Sequence, residues 1–141
     1  MVQKTQVLFV CFGNACRSPM AEAIAQREAE DVIEPASAGL YPLGEIPQLT
    51  QDTLRRNGYS ADGLFSKRIN RNVWERADIV INLSGRGREF DFEDCGKVED
   101  WQVTDPYGGD ERTYQRILED IQQRVRKLAQ RLREQEASKT A

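Results

Sequence analysis

The apolar run Val7-Leu8-Phe9-Val10 ends on Cys11 and passes directly into Phe12-Gly13-Asn14-Ala15-Cys16-Arg17-Ser18, followed by Pro19-Met20-Ala21-Glu22-Ala23. A β-branched, apolar tetrapeptide, a glycine-bearing loop, then Pro in a first helical turn with Ala and Glu behind it reads as strand, tight loop, helix. This order constrains the fold more than any other feature of the chain. A strand that gives way at once to a helix returns in parallel, and a parallel sheet needs helices on its faces.

The same loop carries the chemistry. Successive backbone N–H groups between a strand and a helix converge at the positive end of the helix, where a phosphate-like anion is stabilised. Asn14 tolerates a left-handed backbone in such a loop. Cys11 presents its sulfur to the point of convergence, and Arg17 adds a planar fork of donors suited to two oxygens of a tetrahedral anion. Helix N-termini and nearby cations favour the thiolate, so the set reads as a nucleophile built to attack phosphorus, with Ser18 hydrogen-bonded to the sulfur. Taken singly, Cys11 is ordinary core filler and Arg17 an ordinary surface residue. The strand-to-helix context joins them into one site.

Strands and helices alternate along the rest of the chain. Strands are expected at 6–11, Pro35–Gly39, Ala77–Leu83 and Lys97–Trp101. Helices are expected at 18–29, Leu49–Asn57, Ile69–Glu75, 86–93 and in a long final segment. Such an order predicts right-handed crossovers, with ligands bound outside the carboxyl ends of the strands, where Cys11 lies. In the final segment Tyr114, Ile117, Leu118, Ile121, Val125, Leu128 and Leu132 recur at helical spacing. That stripe reads as packing on the chain's own sheet, with a partner-binding face as the alternative. One domain over 1–141 is expected, fraying from 135.

Composition removes several classes. The 141 residues contain no histidine, which excludes Cys-His and Ser-His-Asp chemistry. Cysteines at 11, 16 and 95 lack metal-ligand spacing, so no metal and no cofactor is expected. A net charge of -3 gives no reason to expect nucleic acid, and no apolar stretch is long enough for a membrane. With no signal peptide visible, the cytoplasm is the expected compartment.

A second constellation is Asp105-Pro106-Tyr107-Gly108-Gly109-Asp110, a turn-rich loop before the final helix. Alone it is a turn, but in a parallel sheet it emerges at the same edge as the Cys11 loop. Asp110 reads as the cap of the final helix. Around the mouth, Phe12, Tyr41 and Tyr107 read as aromatic walls for an aryl ring, with singly exposed aromatics as the alternative. Cys11 and Cys16 bracket one tight loop, which makes Cys16 a candidate resolving thiol under peroxide or, alternatively, a small loop residue without redox duty.

The segment from Val10 to Ala23 resembles the active site of the low-molecular-weight protein tyrosine phosphatases, a fold and segment shared by thioredoxin-coupled arsenate reductases. The resemblance continues through Ser37-Ala38-Gly39 to Thr104-Asp105-Pro106-Tyr107-Gly108. It implies a three-layer, flavodoxin-like α/β fold, a four-stranded parallel sheet with helices on both faces. It also implies a phosphocysteine on Cys11, phosphate held by Arg17 and the loop from Phe12 to Ser18, and Asp105 as general acid and then base. Ser37 and Asn14 would brace the loop, with ordinary turn chemistry as the alternative for both. The implied substrate is a phosphorylated protein or a small aryl phosphate.

Departures from the resemblance concern the substrate. Ser84 stands where the reductases carry a second redox cysteine, and Cys95 falls near their third. Leu64-Phe65-Ser66-Lys67-Arg68 replaces a histidine-containing segment of the phosphatases. Ala15 replaces the Thr of relatives that act on phosphoarginine. Hydrolysis of phosphotyrosine or aryl phosphates is the favoured expectation, thiol-dependent arsenate reduction the second, and a non-catalytic phosphate-binding module the third.

Overall fold

Strand β1 (Thr5–Cys11) is the axis of the molecule, and from Val7 to Cys11 no side chain is more than 2% exposed. Val7, Phe9 and Cys11 face one layer, with Met20, Ile24, Leu54, Leu118 and Ile121, whereas Leu8 and Val10 face the other, with Val73, Trp74, Phe92 and Val98. Burial on both faces explains why the run shows no polar alternation. Each large apolar side chain so buried contributes about 1.5–3 kcal/mol. The computed structural model describes residues 3–92 and 95–140, with backbone alone for Phe90, Cys95 and Thr140.

The other elements are α1 (Arg17–Glu28), β2 (Ile33–Gly39), α2 (Gln48–Arg56), α3 (Arg71–Arg76), β3 (Ile79–Asn82), α4 (Arg88–Asp91), β4 (Val98–Asp100) and α5 (Glu111–Thr140). The four strands lie parallel in the order β2-β1-β3-β4. Helices α1, α2 and α5 supply one hydrophobic layer, and α3 with the residue closing α4 supplies the other. The expected α/β architecture, a parallel sheet covered on both faces, is therefore present. From β1 the chain leaves to one side for β2 and later returns on the other side as β3. The crevice at this reversal opens at the carboxyl end of β1, where Cys11 lies. A single bridge, Gly39 to Arg68, lays the segment after Ser66 along the outer edge of β2.

The element ends differ from the sequence reading for local reasons. Strand β2 begins at Ile33, ahead of Pro35, because β2 is an edge strand and tolerates a proline that cannot donate to a ladder. Helix α3 starts at Arg71 rather than Ile69, since Asn70 caps it by accepting from the Val73 N–H at 2.9 Å. Strand β3 is shorter than Ala77–Leu83, because Ala77 closes α3. Helix α4 covers four residues within the expected 86–93, of which Glu93 lies outside the described residues. The apolar stripe of α5 lies in the core, as expected, and its helical backbone runs on to Thr140, beyond 135 where fraying is expected. Among the described residues no helix is long and apolar enough to cross a membrane.

Candidate active site

The loop after β1 is held from outside by its carbonyls. Cys11 O accepts from Leu40 N, Phe12 O from Tyr41 N, and Gly13 O from both Leu43 N and the Ser66 hydroxyl, at 2.8–3.2 Å. Thr50 of α2 donates to Ala15 O at 3.1 Å. Asn14 takes the left-handed backbone expected of it, with φ 47°. Among the described residues no acceptor takes an N–H from Phe12 to Ser18, and no side chain caps the start of α1. With the carbonyls turned outward, these donors are left for an anion.

A side-chain network ties the loop to β2 and α1 from beneath. Asn14 Oδ1 accepts from Lys67 N at 2.9 Å, which turns its amide nitrogen toward Ser18 Oγ at 2.8 Å and Ser37 Oγ at 3.1 Å. The Ser37 hydroxyl donates in turn to the Glu22 carboxylate. Ser18 accepts from Asn14, and its own proton has two acceptors in reach, Cys11 Sγ at 2.9 Å and Ala38 O at 3.4 Å. Asn14, Ser18 and Ser37 are all almost fully buried, which makes a satisfied network necessary.

Arg17 leaves the first turn of α1 and is 5% exposed. One terminal nitrogen donates to Val103 O at 3.2 Å, the other lies 3.5 Å from Asp105 Oδ2, and its buried Nε has no partner among the described residues. The other oxygen of Asp105 accepts from Tyr107 N at 3.0 Å. The segment is thus both a turn and part of the site. Cys16 is buried among the residues that line the cavity, its sulfur 3.5 Å from the Tyr114 hydroxyl of α5. Burial pushes the Cys16 thiol up, and burial beside Cys16 pushes the Tyr114 phenol up.

These groups surround a cavity of about 210 Å³, lined by Cys11, Cys16, Arg17 and Asp105 together with the exposed side chains of Phe12, Tyr41, Leu43 and Tyr107. Phe12 and Tyr41 meet edge to face, 5.1 Å between centroids. The structure therefore brings together every residue singled out in the sequence around the loop, and Asp110 caps α5 by accepting from Thr113 N at 2.9 Å. Leu43, Thr50, Ser66 and Tyr114 were missed as parts of the site. Tyr114 carried a signal as part of the α5 stripe, whereas Thr50 and Ser66 carried none. Ser84 hydrogen-bonds Asn82 at 2.7 Å, and the Cys95 side chain lies outside the described residues.

A doubly covered parallel sheet with a thiol and a guanidinium at the strand-to-helix loop of its reversal point places the molecule among the doubly wound α/β proteins, whose ligands bind at that edge. The sequence pattern of the low molecular weight phosphotyrosine protein phosphatases matches residues 6–138, and the chain belongs to that family. The low molecular weight protein-tyrosine-phosphatase YfkJ of Bacillus subtilis is 42% identical over 85 residues, 55% of this chain and 54% of that one. Arsenate reductase 1 of Bacillus cereus is 29% identical over 132 residues, 92% of this chain and 98% of that one. The crystal structure of the low molecular weight protein tyrosine phosphatase from T. tengcongensis superposes with a TM-score of 0.81 at 27% identity, covering 92% of this chain and 100% of that one.

Proposed function

We propose that the protein is a phosphomonoesterase that hydrolyses aryl phosphates, phosphotyrosine in proteins among them, through a phosphocysteine on Cys11. The observation that carries this reading is the convergence, in one cavity, of the Cys11 sulfur, a buried guanidinium with an unpartnered Nε, and the Asp105 carboxylate. Cys11 attacks phosphorus while Arg17 and the loop N–H groups hold the non-bridging oxygens. The anion displaces Asp105 from the Arg17 fork, and the freed carboxyl protonates the leaving oxygen. Asp105 then takes a proton from the water that attacks the phosphocysteine. Ser18 donates to the departing sulfur, Asn14 and Ser37 brace the loop, and Phe12, Tyr41 and Tyr107 flank the aryl ring. Cys16 is the resolving thiol in this reading: it condenses with a sulfenic acid on Cys11, releasing water and forming a disulfide. Cys11 and Cys16, free thiols among the described residues, fit a reducing compartment such as the cytoplasm.

Arsenate is also a tetrahedral oxyanion, and the similarity to the B. cereus reductase over most of both chains favours a second reading, thiol-dependent arsenate reduction. Against it stands Ser84, a hydroxyl where that relay needs a thiol. Initial rates on p-nitrophenyl phosphate, measured beside thiol-dependent arsenate reduction, separate the two. We expect phosphate release by the parent protein, and in Cys11→Ser a complete loss of turnover with vanadate binding retained. Turnover of arsenate without turnover of the aryl phosphate hands the site to the second reading.

A further inference from the structure

Among the described residues five large hydrophobic side chains are strongly exposed: Phe12, Tyr41, Leu43, Phe65 and Tyr107, from 41% to 61%. Their placement is not scattered. Four line the cavity over Cys11. The fifth, Phe65, precedes Ser66, whose hydroxyl donates to Gly13 O and accepts from Gly44 N at 3.1 Å, while Leu43 N donates to the same Gly13 O. One carbonyl of the anion loop therefore gathers the Leu43 and Phe65 segments at one side of the mouth.

A small aryl phosphate does not account for this arrangement. Its ring is served by Phe12, Tyr41 and Tyr107, and Phe65 is not among the residues that line the cavity. Clustered exposed apolar side chains mark surfaces that meet another molecule. The charges lining the cavity are Arg17 and Asp105, and these are turned toward each other. Beside Phe65, the Lys67 ammonium lies 4.5 Å from the ring centroid and donates to Phe65 O at 3.2 Å. The rim thus offers contact area to a neighbouring side chain, and little free charge.

We propose that this collar is a docking surface for a phosphoprotein segment with bulky apolar residues beside the phosphorylated one, seated against Leu43 and Phe65. The proposal rests on the phosphomonoesterase reading and names its substrate class. A phosphorylated residue in an extended chain inserts its phosphate over Cys11, and the adjoining side chain is left at the rim, where the collar is apolar.

Two phosphotyrosine peptides that differ only in having Leu or Ser on either side of the phosphorylated residue test it, with p-nitrophenyl phosphate alongside. The parent protein is expected to favour the Leu peptide in kcat/KM by about tenfold, the lower end of what an apolar contact provides. Phe65→Ser should bring that ratio toward one, and Phe65→Leu should restore most of it. Equal kcat/KM on both peptides, with the aryl phosphate hydrolysed, overturns the collar and leaves the phosphatase reading standing. Failure to hydrolyse any of the three overturns the phosphatase reading and the collar with it. A parent dimer that Phe65→Ser converts to monomer, without change in the peptide ratio, assigns the collar to a second copy of the chain and also overturns the proposal.

Discussion

Gly39 is a case in which an absent side chain decides the geometry of the site. A Cβ built there would lie 2.8 Å from both Asn14 Cβ and Asn14 N, and 3.0 Å from the Gly13 carbonyl carbon. Two of these are backbone atoms of the anion loop, so Gly39→Ala has to move the loop or the end of β2. Displacements of about 1 Å near reacting groups cost on the order of 10²-fold in rate, and overpacking costs about 1–3 kcal/mol. Gly39→Ala is therefore expected to lower kcat/KM on p-nitrophenyl phosphate by about that factor while the protein still folds, as read by circular dichroism. Unchanged kinetics would show that the loop is not held by this contact. At this scale the sequence was legible where the parts are contiguous: Cys11, Asn14, Arg17 and Ser18 share one loop and its helix. Gly39 is legible as the end of a strand but not as a neighbour of Asn14, and Thr50, Ser66 and Tyr114 reach the loop from distant segments. Nothing local distinguishes them from any other Thr, Ser or core Tyr.

Among the elements, α1, α2 and α5 are tied together at the end remote from the cavity by one carboxylate. Glu28 closes α1, accepts from Arg126 Nε of α5 at 2.7 Å and from the Tyr59 hydroxyl just after α2, and Gln122 of α5 donates to the same hydroxyl at 2.6 Å. Burial alone would raise the Glu28 carboxyl, but the bonds from Tyr59 and Arg126 outweigh it and hold the group below the ordinary carboxylate value. A carboxyl whose folded value is depressed contributes stability that is fully present above its unfolded value, near 4.3, and is lost as pH falls through the folded value. Glu28→Gln should therefore cost about 1–2 kcal/mol at pH 7 in urea unfolding, and progressively less below about pH 4. A penalty that persists undiminished at pH 3 would mean that packing, not charge, joins the helices. The existence of these helices was legible from their apolar spacing, but their ends were not. Asn70, Ala77 and Pro35 shift boundaries through a cap, a helix closure and an edge position that only the folded neighbours define.

At the scale of the whole molecule, the alternation of strands and helices carried the parallel sheet and placed Cys11 at its carboxyl edge, but it did not carry the strand order. That order decides what meets Cys11: β2 brings Ser37 and Gly39 to one side of the loop, and β3 with the chain beyond β4 brings Val103 and Asp105 to the other. Both faces of β1 are needed for this, and the two hydrophobic layers contain one tryptophan each. Trp101 lies with Phe9 in the layer of α1 and α5, and Trp74 stacks on Phe92 in the layer of α3. We propose that the chain unfolds as one domain, because Val7, Phe9 and Cys11 cannot leave the first layer without withdrawing Leu8 and Val10 from the second. The variants Trp74→Phe and Trp101→Phe each leave a single tryptophan reporting on one layer. Urea titrations of the two, each referred to its own circular dichroism transition, should show fluorescence and circular dichroism midpoints that coincide in both proteins. Saturating vanadate, bound only by the folded loop, should move both layers to higher urea together. A layer whose tryptophan melts ahead of its own circular dichroism transition would divide the molecule along the sheet. The anion loop would then be stabilised from the α1 and α5 side alone.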